Sequence, residues 1–213
     1  MGRKPQYDEA AVIDAAVDVF WRHGYSAASI NELTAATGLS RSSLYQRFQD
    51  KDGLFREALS SYTGRVLRRM NASKADTARG RLDAVLRQFL PNEVKTKRPP
   101  GCLLARCCAE MADLPATGQS VALAGLTQQH AVIEGILRDA VSSGELARDA
   151  DIAALAWYYL GILQAVLNLP QAGATPVGLR CIVDIAMSNW PTVTEQSARR
   201  SKNAAGRPTR GSR

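Results

Sequence analysis

Cysteines, histidines and alternating runs of β-branched residues are scarce here, and each shortage removes a class of protein. The four cysteines, Cys102, Cys107, Cys108 and Cys181, do not amount to a disulfide framework in a chain of 213 residues. Their C-x4-C-C spacing fits no common zinc pattern, so no metal site is expected. With no signal peptide ahead of them, they point to a reducing cytoplasm. No phosphate-binding loop and no internal repeat occurs, and no cofactor is implied. Without alternating strand patterns bounded by hairpin turns, a sheet protein is excluded.

What is present suits a soluble globular chain. Apolar residues make up 46% and charged residues 22%, and the length suffices to bury a sizeable core. The net charge of +7 invites a nucleic-acid reading, but its distribution weakens that inference. Residues 1–70 carry ten basic and eight acidic side chains, and residues 71–194 carry eleven of each. Residues 195–213 carry six basic and one acidic. The excess is therefore mainly a tail, expected to be solvated and unable to build a core.

One stretch imitates a membrane span. No charge occurs between Asp151 and Arg180, and Ile152 to Leu169 is almost wholly apolar, close to the length that crosses a bilayer. Gln164 and Asn168 interrupt it, no basic flank lies near, and the mean hydropathy of the chain is −0.18. A helix buried all round in a soluble core gives the same pattern, and that is the reading taken.

Helical periodicity runs nearly throughout. Val12, Ala16, Val19 and Phe20 share one helix face, with Asp8 and Glu9 at its start and Gly24 as its stop. Ser29-Ile30-Asn31-Glu32 forms a capping box for a second, short helix that ends at Gly38. Ser40 can cap a third running to Phe48, and Asp50 a fourth with Leu54, Phe55, Ala58, Leu59 and Tyr62 as its apolar stripe. The pattern loosens over Ser73–Gly80 and resumes near Leu82, with Pro91 late in that helix. Further helices are expected over Cys102–Asp113, Ala116–Ser143, Ala150–Leu169 and Pro176–Trp190. The fold class is all-α.

Two short helices joined by a glycine turn have the form of a helix-turn-helix. In the second, Leu44 and Phe48 anchor a buried face, while Arg41, Ser42, Ser43 and Gln46 lie off it. Arginine can bond bidentately to guanine and glutamine to adenine. Ser29 and Ser40 sit at helix N-termini, where free N–H groups attract phosphate. A plain helical hairpin has the same spacing, so spacing alone leaves both readings open.

The residues then become specific. Phe20-x-x-x-Gly24-Tyr25, Ser29-Ile30-x-x-Leu33, Gly38-Leu39-Ser40 and Leu44-Tyr45-x-x-Phe48-x-x-Lys51-x-x-Leu54 closely resemble the DNA-binding domain of TetR-family transcriptional regulators. The resemblance covers residues 7–62 in unbroken register. It implies a DNA-binding head over 1–50, a linking helix over 51–75, an effector-binding and dimerisation domain over 76–192 and a basic tail over 193–213. It also implies phosphate contacts from Ser29, Tyr45 and Lys51, with Arg41, Ser42, Ser43 and Gln46 facing the groove. Two departures stand out: Ser42 replaces a frequent glycine and Arg47, itself a candidate DNA contact, a frequent histidine. The expected partners are a palindromic duplex operator, a second copy of the chain and a small-molecule effector, apolar or thiol-reactive. The last two long helices would form the dimer interface.

For the effector, two sets of candidates arise. Cys102 follows Pro99-Pro100-Gly101 at an expected helix start, where the dipole would lower a thiol pKa and raise reactivity, although a small buried packing residue is the favoured reading of it. Relatives with a similar Gly-Cys respond to electrophiles, whereas Cys107 and Cys108 suit packing. An apolar pocket is the second expectation, drawn from Phe89, Cys107, Met111, Leu126, His130, Ile133, Trp157, Leu160 and Gln164, with Tyr158 and Tyr159 nearby. An enzyme built on Cys102 or Cys107 with His130 as base finds nothing to orient that base. The chain is read as a non-enzyme.

Overall fold

The computed structural model describes residues 7–91, 99 and 101–191, so the expected basic tail lies outside the described residues. Those residues fold into nine α-helices with no strand. The head consists of α1 (Glu9–Ala27), α2 (Ile30–Thr37) and α3 (Arg41–Phe48), and α4 (Lys51–Ala72) runs on from it. The body contains α5 (Ala78–Arg87), α6 (Leu103–Ala109), α7 (Ala116–Ser142), α8 (Ile152–Asn168) and α9 (Pro176–Ser188).

Local chemistry sets the ends of the head helices. Asp8 accepts from the Ala10 and Ala11 N–H groups to open α1. At α2 the Ser29 hydroxyl accepts from Glu32 N–H while the Glu32 carboxylate accepts from Ser29 N–H, so the capping box is complete. Gly38 closes α2 in the left-handed conformation. Ser40 and Asp50 cap α3 and α4 as their types suggest. Gly24, expected as a stop, instead breaks α1 with φ of 76°, and one further turn follows.

The body departs from its expected boundaries in three places. The helix α5 stops at Arg87, and Pro91 lies beyond it, because a proline inside would lack a donor and clash with the preceding turn. The expected helix over Cys102–Asp113 divides at Glu110 into α6 and a 3₁₀ turn, Met111–Asp113. The last residues before Gly173 likewise tighten into a 3₁₀ turn, Leu169–Ala172, which begins next to Pro170.

At the centre, α7 packs against α4, α5, α6 and α8. It approaches α4 closely because Gly118 and Gly125, two turns apart, face it. A Cβ at Gly118 would sit 2.6 Å from Phe55 Cε1, and one at Gly125 2.8 Å from Thr63 Cγ2. Phe55 in turn meets Phe20 of the head edge-on, ring centroids 4.9 Å apart. Head and body therefore share one continuous apolar core through α4. Leu160 and Leu163 of α8 belong to that core.

Candidate nucleic-acid interface and effector cavity

The head presents α3 as an exposed ridge on a buried keel. Leu33, Leu39, Leu44 and Phe48 are buried, which fixes the roll of α3 against α2 and α4. The other side of α3 exposes Arg41, Ser42, Tyr45 and Gln46, with Ser43 half-buried. Tyr45 is 46% exposed, which leaves its ring and hydroxyl accessible to an outside partner. At the N-terminal turn, the Ser40 hydroxyl accepts from Ser43 N–H at 3.1 Å and lies 2.9 Å from the hydroxyls of Ser42 and Ser43. Three hydroxyls thus surround free N–H groups at a helix start, a polar cluster suited to an anion.

Several expected contact residues already have partners within the chain. Ser29 donates its hydroxyl to Glu32 at 2.7 Å. Arg41 donates to Asn31 of α2, which orients the guanidinium along the exposed side. Lys51 donates to the Ala28 carbonyl at 3.0 Å and stands 4.4 Å over the Tyr25 ring. It therefore ties the loop before α2 to the start of α4.

Arg47 departs furthest from expectation. Its guanidinium donates to Glu57 at 3.0 Å and to Glu9, clamping α1, α3 and α4 together. The hydrogen bonds it donates to these two carboxylates raise its pKa above the ordinary value. A side chain engaged by two carboxylates serves head rigidity, and spacing could not reveal partners 38 and 10 positions away.

Among the cysteines of α6 and its boundary, packing prevails over reactivity, the reading favoured for Cys102. Cys102 does stand at the N-terminal boundary of α6, but it is fully buried. Burial pushes its pKa up, and neither the Tyr62 hydrogen bond nor the Leu104 and Ala105 N–H groups reverse this. Desolvation of the thiolate outweighs the helix dipole. Cys107 is pushed up to about 12 by burial and its neighbouring thiols, and Cys108 is raised for the same reasons. Cys181 on α9 is exposed.

The expected pocket residues do not converge. Trp157 is 60% exposed and lies tilted against His130, ring centroids 4.5 Å apart. Ile133 and Leu160 are buried in the core, and Leu126 and Met111 pack at its margin. Gln164 donates to the fully buried Gln129 at 3.0 Å. Phe89 alone of that set lines a cavity of about 500 Å³ between head and body. Its walls come from α1 (Asp14, Val17, Asp18, Trp21), α4 (Tyr62, Arg65, Val66, Arg69) and the chain after α5. The end of α8 completes it. The spacing of Asp14, Asp18 and Trp21, and again of Tyr62, Val66 and Arg69, marks single helix faces. That signal could have located the cavity.

Beside it, Arg106 of α6 donates to the Trp21 and Arg22 carbonyls at 3.3 and 3.1 Å, where α1 breaks at Gly24. The same guanidinium pairs with Glu110 at 2.9 Å. The helix that Cys102 begins is thus fastened directly to the head.

An all-α chain with an exposed recognition helix on a three-helix head, joined to a helical body, is a helix-turn-helix regulator in form. Comparison with known proteins agrees. Residues 12–58 match the family described as bacterial regulatory proteins, tetR family, and residues 78–180 match the tetracyclin repressor-like C-terminal domain. The chain belongs to the TetR family of DNA-binding transcriptional regulators. It is 28% identical to the HTH-type transcriptional repressor ComR of Escherichia coli (strain K12), over 91% of this chain and 94% of ComR. It is 29% identical to YezE, an HTH-type transcriptional regulator of Bacillus subtilis (strain 168), over 88% of this chain and 98% of YezE. Among solved structures, it is similar to a cysteine mutant of the TetR-family regulator CifR complexed with a 26-bp double-strand operator DNA. The TM-score is 0.74 at 27% identity, over 89% of this chain and all of that one. Reduced NemR of Escherichia coli shares the fold, with a TM-score of 0.73 at 16% identity, over 86% of this chain and 97% of NemR.

Proposed function

We propose that this chain acts as a homodimeric cytoplasmic repressor, holding a roughly palindromic operator through α3 and released by a small molecule. The observation that carries DNA recognition is the exposed set Arg41, Ser42, Tyr45 and Gln46 above the buried Leu44 and Phe48. Arg41 and Gln46 can read base edges, while Tyr45 and the serine cluster position the helix on phosphates. CifR, bound to operator DNA in its own structure, supports this use of the head.

Dimerisation rests on a second surface. Trp157 of α8 and Val177 and Ile185 of α9 are 60%, 61% and 62% exposed. With Tyr158 they leave an uncovered apolar surface on two helices that pack together. A second copy packed on it would complete a four-helix interface. The same face explains why Ile152–Ala172 is apolar enough to span a membrane yet only 33% buried. A two-fold axis there sets the two α3 helices over successive major grooves, roughly 34–36 Å apart or a multiple of that.

The effector acts without covalent attachment at Cys102 or Cys107, since both thiols are buried and hold their protons. It shifts the spacing of the heads only by binding one arrangement better than the other. Binding to the DNA immediately upstream of the protein's own reading frame, repeated with a panel of small molecules, tests the proposal. Salt-dependent, sequence-selective binding relieved by one of the compounds supports it, and indifference to sequence contradicts it.

A further inference from the structure

We infer that Asn31 of α2 is a specificity-determining residue of the DNA-binding site, acting through Arg41. Its side-chain carbonyl sets the guanidinium so that a two-donor edge meets one guanine in each half-site. This rests on the reading of α3 as the helix that enters the groove, and it states how one base is chosen there.

Arg41 and Arg47 both stand on α3 and use the same group in opposite ways. Arg47 is half-buried and held by two carboxylates, Glu9 and Glu57, so its charge and donors are engaged inside the head. Arg41 is exposed at the first position of α3, and its partner is the neutral amide of Asn31, ten positions away across the turn. An amide orients the guanidinium without cancelling its charge, whereas a carboxylate in that place would compete with the duplex for it. Glu32, the carboxylate next to Asn31, is occupied elsewhere, accepting from the Ser29 N–H and hydroxyl at 2.9 and 2.7 Å. Asn31 itself is well placed to act as a fixed post. It lies in the first turn of α2 between the two members of the capping box, and its backbone carbonyl accepts from the Thr34 hydroxyl at 2.9 Å.

The stereochemistry leaves a reading edge open. A guanidinium only donates, so the Asn31 atom that meets it is the carbonyl oxygen. The two hydrogens on Arg41 Nη2 belong to different edges of the fork, one shared with Nε and the other with Nη1. Whichever of them Asn31 accepts, the other edge keeps both its donors, and the rest of the guanidinium finds no partner among the described residues. Two parallel donors match the O6 and N7 acceptors of guanine, while adenine presents a donor where guanine has O6. A free arginine loses much rotamer freedom when it binds, and one held beforehand loses less when the duplex arrives. Both side chains are exposed, so the pair bears on base choice and leaves the core of the head untouched.

The test uses the full chain and a duplex that it selects from a randomised library. Each guanine of the selected half-site is replaced in turn by 7-deazaguanine, which keeps the base pair and lacks N7. One replacement should weaken the wild type about tenfold and leave Arg41→Ala indifferent. At that position Asn31→Ala should discriminate about fivefold less than the wild type. Asn31→Asp, which keeps an acceptor, should discriminate as the wild type does while binding every duplex more weakly. In the Arg41→Ala background, Asn31→Ala should change nothing further. Full discrimination in Asn31→Ala, or none in Asn31→Asp, would overturn the inference. So would an undiminished effect of Asn31→Ala in the Arg41→Ala background, which marks a direct contact from Asn31. A selected sequence indifferent to 7-deazaguanine at every position overturns this inference alone. A wild-type chain that enriches no sequence overturns the regulator reading and this inference with it.

Discussion

Head and body are built on contrasting terms. In the head, the residues that stop and start each helix lie within a few positions of what they satisfy: Ser29 with Glu32, Ser40 with Ser43, Asp50 with Gly53. In the body, the start of α5 is held partly by Glu145, whose carboxylate accepts from Ala78 and Arg79 N–H at 2.8 and 3.0 Å from 67 and 66 positions away. Its end is held by Arg87, which reaches Asp184 on α9. A surface that must fit an outside duplex gains from a locally determined frame, whereas the ends of α5 depend on contacts from distant parts of the chain.

The largest effects should come from testing the two faces of α8 against each other. Leu163 is fully buried, so Leu163→Glu should unfold the body, costing about 3–5 kcal/mol for an unpaired buried carboxylate. Trp157→Glu lies on the exposed face and should leave a folded monomer. Sedimentation with circular dichroism separates these outcomes. A Trp157→Glu protein that stays dimeric would remove α8 from the interface.

Next in size are the contacts of the head. Gln46→Ala or Arg41→Ala should relax preference at one half-site position by about 1–3 kcal/mol. Tyr45→Ala should weaken all duplexes alike. Lys51→Ala should also weaken all duplexes and lower head stability, since Lys51 braces the Ala28 carbonyl. Binding across single-base operator variants distinguishes the two patterns, and uniform loss from Gln46→Ala and Arg41→Ala would mean that another side of α3 enters the groove.

The smallest effect concerns the distant contact itself. Burial raises the Glu145 pKa, but N–H groups of Arg79 and Ala78 and the Ser143 hydroxyl outweigh it and hold the carboxyl below its ordinary value. Its contribution is present above the unfolded value of about 4.3 and is lost as pH falls through the lower folded value. Glu145→Gln should cost about 1 kcal/mol at neutral pH and flatten the acid limb of the stability curve. An unchanged acid limb would show that the bond is not part of the folded-state balance.

The same contrast explains what was legible in the sequence. Capping residues and the keel of α3 act over short range, so α1 to α4 and the exposed Arg41, Ser42 and Gln46 could be read directly. The apolar run of α8 was read as core and interface, and it is both buried on one side and exposed at Trp157. Cys102 stands at the expected helix start and is buried as favoured, but Tyr62, which hydrogen-bonds its thiol, comes from another helix and could not be read from spacing. The cavity was not legible for the same reason: the neighbours of Trp21 across the space are 41 to 149 positions away. Arg47 looked like a free cation beside the groove until Glu9 and Glu57 came into contact with it.

The central claim is that α3 reads a specific duplex. The most direct measurement is fluorescence anisotropy of the duplex upstream of the protein's own reading frame against a scrambled duplex of equal length, at physiological salt. The account predicts binding to the native duplex about 10³-fold or more tighter than to the scrambled one, with that preference reduced by Gln46→Ala. Equal affinity for the two duplexes, or no binding to either, would contradict it.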